Sequence, residues 1–155
     1  MKSYIPTIDI SSLLDEKFKS VNAKKTIKKI EKACLEVGFF QITNHGIKRK
    51  NINDIVKVGK FFFNSSIKNK LKLAPKKWNN LNKNTYRGYF PADVNGKEGL
   101  DIGDLKVTKK YALKLKNSYI ECLNLNKAIN KKSINILSNY FDQIFILGEI
   151  LFKSI

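Results

Sequence analysis

Gly38-Phe39-Phe40-Gln41-Ile42-Thr43-Asn44-His45-Gly46 is the stretch on which the fold turns. Gly38 stands where a glycine closes a helix, Phe39 to Thr43 read as a strand, and Asn44-His45-Gly46 are turn residues that end it. Upstream, a helix is predicted over 22–37. Ala23, Ile27, Ile30, Ala33, Cys34 and Val37 recur at spacings of three and four, and Lys24, Lys25, Lys28, Lys29 and Lys32 cover the opposite side. Asn22 is the expected N-cap. Further upstream, Ile5-Pro6-Thr7-Ile8-Asp9-Ile10 alternates as a short first strand, with Pro6 suited to a strand's start.

Downstream of the turn, a second helix is predicted over 51–63, with Ile52, Ile55, Val56, Gly59, Phe62 and Phe63 on one face. A Lys-rich connection follows as far as Pro75, and 79–84 reads as a surface loop. Tyr86-Arg87-Gly88-Tyr89-Phe90-Pro91 reads as an extended aromatic segment, and 93–103 as turn-rich. Residues 107–130 give no clear pattern. The final segment does: Ile134, Leu137, Phe141, Ile144, Gly148, Leu151 and Ile155 form one stripe. Tyr140, Phe145, Ile146, Leu147, Ile150 and Phe152 make most of the rest apolar, which is the pattern of a buried helix.

Composition narrows the function classes. The 155 residues suit one domain, and 43% hydrophobic content fits a globular protein. Thirty Lys and Arg against thirteen Asp and Glu give +17. Such a balance raises polyanionic partners, but all of the thirty except Arg49 and Arg87 are Lys, so the planar fork that reads bases and phosphates is scarce. The lysines come as scattered pairs, as expected of solvated faces, and nucleic acid is not the expected partner. Cys34 and Cys122 lack the spacing of a zinc site or disulfide framework. No signal peptide is read at the N-terminus, and the run 144–152 is too short to span a bilayer. A cytoplasmic protein with no membrane partner is expected.

Ile5 to Ser11, Ala33 to Gly46, Phe61-Phe62, Lys70-Leu71-Lys72 and Tyr86 to Phe90 occur in the order seen in a known family. Together with Lys97-Glu98-Gly99-Leu100-Asp101-Ile102-Gly103 and the closing helix, they resemble the N-terminal domain of the isopenicillin N synthase-like dioxygenases. The resemblance implies a mixed α/β fold, its helices flanking a few short strands that in the family extend a double-stranded β-helix, or jelly roll. It implies a dioxygenase N-terminal domain over 1–105 and a helical segment over 106–155 that precedes the jelly roll. The family's cofactors are Fe(II) and 2-oxoglutarate. A His-x-Asp pair and a distant His hold the iron, and an Arg-x-Ser motif takes the 2-oxoglutarate carboxylate.

None of those motifs occurs here. His45 is the only histidine, Arg49 precedes Lys50-Asn51, and Arg87 precedes Gly88-Tyr89. The expectation is therefore a chain with no catalytic residue and no metal or cofactor of its own. Its partner would be a chain or segment carrying the jelly roll, or a second copy through the C-terminal helix. Asn44, His45 and Gly46 are expected to be structural, and the resemblance makes Tyr86, Arg87 and Tyr89 the substrate-facing candidates. Glu98 and Asp101 are expected to be solvated. The alternative is a basic nucleic-acid or anionic-partner binding module on a degenerate oxygenase scaffold.

Overall fold

The structure, a computed structural model, describes residues 4–15, 18–92, 96–106 and 123–155. The weakly patterned stretch 107–122, with Cys122, lies outside them. The architecture is mixed α/β: strand β1 (Thr7–Asp9), helix α1 (Val21–Glu36), strand β2 (Gln41–Thr43), helices α2 (Arg49–Phe63) and α3 (Ile67–Leu71), strands β3 (Gly88–Phe90) and β4 (Gly99–Asp101), and helix α4 (Lys131–Phe152). Two compact units result: residues 1–50 with 142–155, and residues 51–141. The divisions fall in the first turn of α2 and within α4.

In the first unit, β1 and β2 pair in parallel, Ile8 opposite Ile42. Parallel strands need a crossover, and α1 supplies it. Ser20, not Asn22, caps the helix, its hydroxyl accepting from the Ala23 N–H at 3.0 Å. At the other end, Gly38 takes φ +78° and both its N–H and that of Val37 donate to the Ala33 carbonyl. This is the doubly satisfied helix end that favours glycine. Ile8, Ile10, Leu13, Ala23, Ile30 and Ala33 form the core with Leu147 and Ile150. Thr26 sits on the buried face because its hydroxyl meets that of Ser12 at 3.0 Å.

In the second unit the buried residues of α2 are Val58 and Phe62, while Val56, expected inside, is 49% exposed. The helix is rotated so that Phe62 meets Tyr89 edge to face at 5.9 Å. Leu73, Ala74, Leu125 and Ile129 complete this core. Two readings are corrected here. The Lys-rich connection contains α3, capped by Ser66, and the turn-rich stretch contains β4, antiparallel to β3 with Tyr89 opposite Leu100.

Helix α4 is not buried all round. Leu147, Ile150 and Leu151 pack in the first core and Ile134 and Leu137 in the second, but Ile144, Phe145 and Ile146 are exposed and Phe152 is 84% exposed. The elements available cover one face of so apolar a helix.

Candidate functional site

The turn after β2 is tied to β1 by a carboxylate. One oxygen of Asp9 accepts from the Ser11 N–H at 2.9 Å, and the other from the Asn44 side-chain amide at 2.7 Å. These bonds, the Ser11 N–H foremost, hold the Asp9 carboxyl below the usual carboxylate range, and the charge of Lys29 adds to this. Asn44 takes φ +53° and Gly46 φ +78°, which is the left-handed region those residue types tolerate. Half-buried His45 turns its Nδ1 inward to accept from the Ile47 N–H at 3.2 Å. Asp9 is the residue that sequence reasoning missed. Its signal was slight: an acid at the end of a strand, two residues before a 3-10 turn.

His45→Ala removes one acceptor from a half-buried N–H. The expected result is a loss of about 1 kcal/mol of stability with no change in metal binding. Thermal melts and metal analysis of the variant check this; altered metal binding at an unchanged melting temperature would contradict it.

The second unit holds the other candidates. Gly88 has φ +123°, and a Cβ there would stand 2.0 Å from the Leu73 carbonyl oxygen. That close approach lets the Tyr89 N–H donate to the Leu73 carbonyl at 3.1 Å. Tyr89, one of the substrate-facing candidates, is 1% exposed and packs in the core of this unit. Its hydroxyl donates to Glu98 at 2.7 Å, and the same carboxylate oxygen accepts from the Lys70 ammonium at 2.6 Å. Lys70 also donates to the Phe63 carbonyl at 3.0 Å.

The consequences are mutual. The Lys70 hydrogen bond, then that of Tyr89, lowers the Glu98 carboxyl, and Glu98 raises the Lys70 ammonium. Burial foremost, then Glu98, raises the Tyr89 phenol. Glu98 is thus partnered by two groups from the core side while it stays exposed, in keeping with the solvated carboxylate expected. Asp101 is paired as well: Arg87 donates to it at 2.7 Å across the β3–β4 pair. Of the three substrate-facing candidates, Arg87 and the 45% exposed Tyr86 reach the surface of this unit.

The donors among the described residues are spread over separate contacts and do not assemble a ferrous centre. Among the described residues, no cluster of three or more His, Cys, Asp or Glu stands ready to hold a metal. His45 is engaged in its own turn, Asp9 in the first sheet, and Glu98 and Asp101 in cation pairs. Among the described residues, no helix is long and apolar enough to cross a membrane.

A family profile described as "non-haem dioxygenase in morphine synthesis N-terminal" matches residues 5–131. The chain belongs to this family. A probable iron/ascorbate oxidoreductase of Dictyostelium discoideum is 30% identical over 169 aligned positions, covering 97% of this chain and 44% of that protein. The isopenicillin N synthase of Streptomyces griseus is 34% identical over 65% of this chain and 29% of its own length. A flavonol synthase/flavanone 3-hydroxylase of Solanum tuberosum is 34% identical over 61% of this chain and 26% of its own. This dioxygenase N-terminal domain therefore spans less than half the length of the curated relatives it matches. The parallel β1–α1–β2 unit and the aromatic segment at β3 both lie within the matched range.

Proposed function

We propose that these 155 residues are the non-catalytic scaffold of an iron(II) and 2-oxoglutarate-dependent oxygenase that oxidises a small organic molecule. The iron ligands and the 2-oxoglutarate-binding arginine then come from residues outside them. The observation that carries this reading is the family match over residues 5–131 on a sequence whose only histidine is occupied in a turn. A two-histidine facial site leaves positions open for co-substrate and oxygen, and it cannot be assembled from one imidazole.

The required partner is a segment or chain carrying the catalytic jelly roll. Helix α4 supplies the face offered to it, because Ile144, Ile146 and Phe152 are exposed with Ile155 beyond them. Each such side chain is worth roughly 1.5–3 kcal/mol when fully buried, so a partner that covers them gains substantially. A second copy of the chain is the competing occupant of the same face.

The reading is tested by turnover. Supplied with Fe(II), ascorbate, oxygen and 2-oxoglutarate, the chain is expected to form no succinate above the protein-free rate. Stoichiometric, enzyme-dependent succinate formation would overturn it.

A further inference from the structure

Between Asp54 and Asp93 the sequence contains no carboxylate, yet it carries Lys57, Lys60, Lys68, Lys70, Lys72, Lys76, Lys77, Lys83 and Arg87. In sequence the lysines look scattered. The fold gathers them. The Asn82 side chain, buried, donates to the carbonyls of Lys72 and Ala74 at 3.0 and 2.7 Å, and its oxygen accepts from the Lys127 ammonium at 2.8 Å. The Lys76 N–H donates to the Asn84 carbonyl at 2.7 Å, which sets Lys76 and Lys77 beside Lys83. Lys77 lies over the Trp78 ring at 4.6 Å. Five lysines from three stretches of chain thus converge on one loop, and among the described residues none of the five enters an ion pair.

The same loop holds out an apolar side chain. Leu81 is 86% exposed although the backbone around it is fixed: Asn79 donates to the Leu71 carbonyl at 3.0 Å and accepts from the Leu81 N–H at 3.1 Å. The Asn82 N–H donates to the Asn79 carbonyl at 3.0 Å. A loop ordered in advance has little conformational entropy left to lose on docking. Like charges gathered without a counter-charge destabilise the free protein, and an anionic surface relieves them.

We propose that this loop, residues 75–84 with Lys72 and Lys127, docks on the anionic face of a lipid bilayer. Leu81 enters the acyl boundary, and the lysines around it meet lipid phosphates and carboxylates. The chemistry favours lipid over nucleic acid. Leu81 has nothing to offer a base, and the Trp78 ring already has Lys77 on its face and Phe90 at 5.6 Å edge to face, so a stacking platform is not open. Lysine suits a fluid anionic surface, which asks for point charges rather than forked recognition.

The test is co-sedimentation of the chain with phosphatidylcholine vesicles, with and without one-third phosphatidylserine, at about 0.1 M salt, where exposed charges are screened beyond ~10 Å. Binding is expected only to the serine-containing vesicles. Leu81→Ser should weaken it about tenfold, and each Lys-to-Gln exchange at 76, 77 and 83 about fivefold, with little change in the melting curve. Equal binding to neutral vesicles would place the contact on an apolar face elsewhere and overturn the proposal. So would binding that survives both sets of substitutions. Preference for a single-stranded oligonucleotide, indifferent to Leu81→Ser, would assign the loop to nucleic acid instead.

Discussion

Gly88→Ala is expected to unfold the second unit. A Cβ at this position would meet the Leu73 carbonyl oxygen at 2.0 Å and the Asn84 amide nitrogen at 2.8 Å, and φ is +123°. The first obstacle is backbone, and it is the acceptor for the Tyr89 N–H, so it cannot withdraw without breaking the bond that seats β3. Asn84 is committed too, donating to the Arg87 carbonyl. Backbone strain alone costs of order 1–3 kcal/mol, and the overlap adds to it; more than about 3 kcal/mol is a large share of a domain's stability. Trp78 is the only tryptophan and packs with the second core, so its fluorescence reports that unit specifically. Gly99→Ala is the control, since a Cβ there meets nothing within 4 Å. A denaturation midpoint for Gly88→Ala equal to that of Gly99→Ala would refute the account of β3.

Glu98→Gln should have the second largest effect, and its signature lies in pH. The carboxylate receives Lys70 and Tyr89 on one oxygen, and the amide that replaces it leaves the Lys70 ammonium, 8% exposed, without a counter-charge. The expected result at pH 7 is a melting temperature lower by several degrees. Glu98 is held below its ordinary value of 4.5, so its contribution is present above that value and disappears as pH falls through the depressed one. Lys70 is raised above 10.5 and Tyr89 above 10.0, so their contributions are intact below about pH 10 and fade as pH rises further. The parent and Glu98→Gln should therefore converge in acid and stay apart at neutral pH. A constant difference from pH 3 to pH 7 would show that the ion pair does not govern the effect.

The first unit was legible because its signals are local. Apolar spacing, a glycine after the helix and Asn-x-Gly after the strand each act within a few residues, and together they set β1–α1–β2 and its turn. The cap was misplaced by two residues because Ser20 and Asn22 are equally able acceptors, and only the chain's entry angle chooses between them. The second unit was harder because its decisive contacts are remote in sequence. Lys70 meets Glu98 across 28 positions, and Asn82 meets Lys127 across 45. A lysine-rich segment reads as solvated until the fold brings a carboxylate to Lys70 and an asparagine oxygen to Lys127. Tyr89 illustrates the same limit: an aromatic in a strand gives no sign of the carboxylate, nine residues on, that its hydroxyl meets. Asp9 escaped notice because its two acceptances, from Ser11 and Asn44, are a matter of turn geometry rather than pattern.

The central claim is that these residues carry the family's scaffold but not its metal site, and iron binding tests it most directly. The chain is titrated anaerobically with Fe(II), desalted and analysed for metal per mole of protein. The account predicts iron far below one equivalent, unchanged by His45→Ala. One tightly held iron per chain, lost in the His45→Ala variant, would contradict it and would make the turn after β2 a metal ligand.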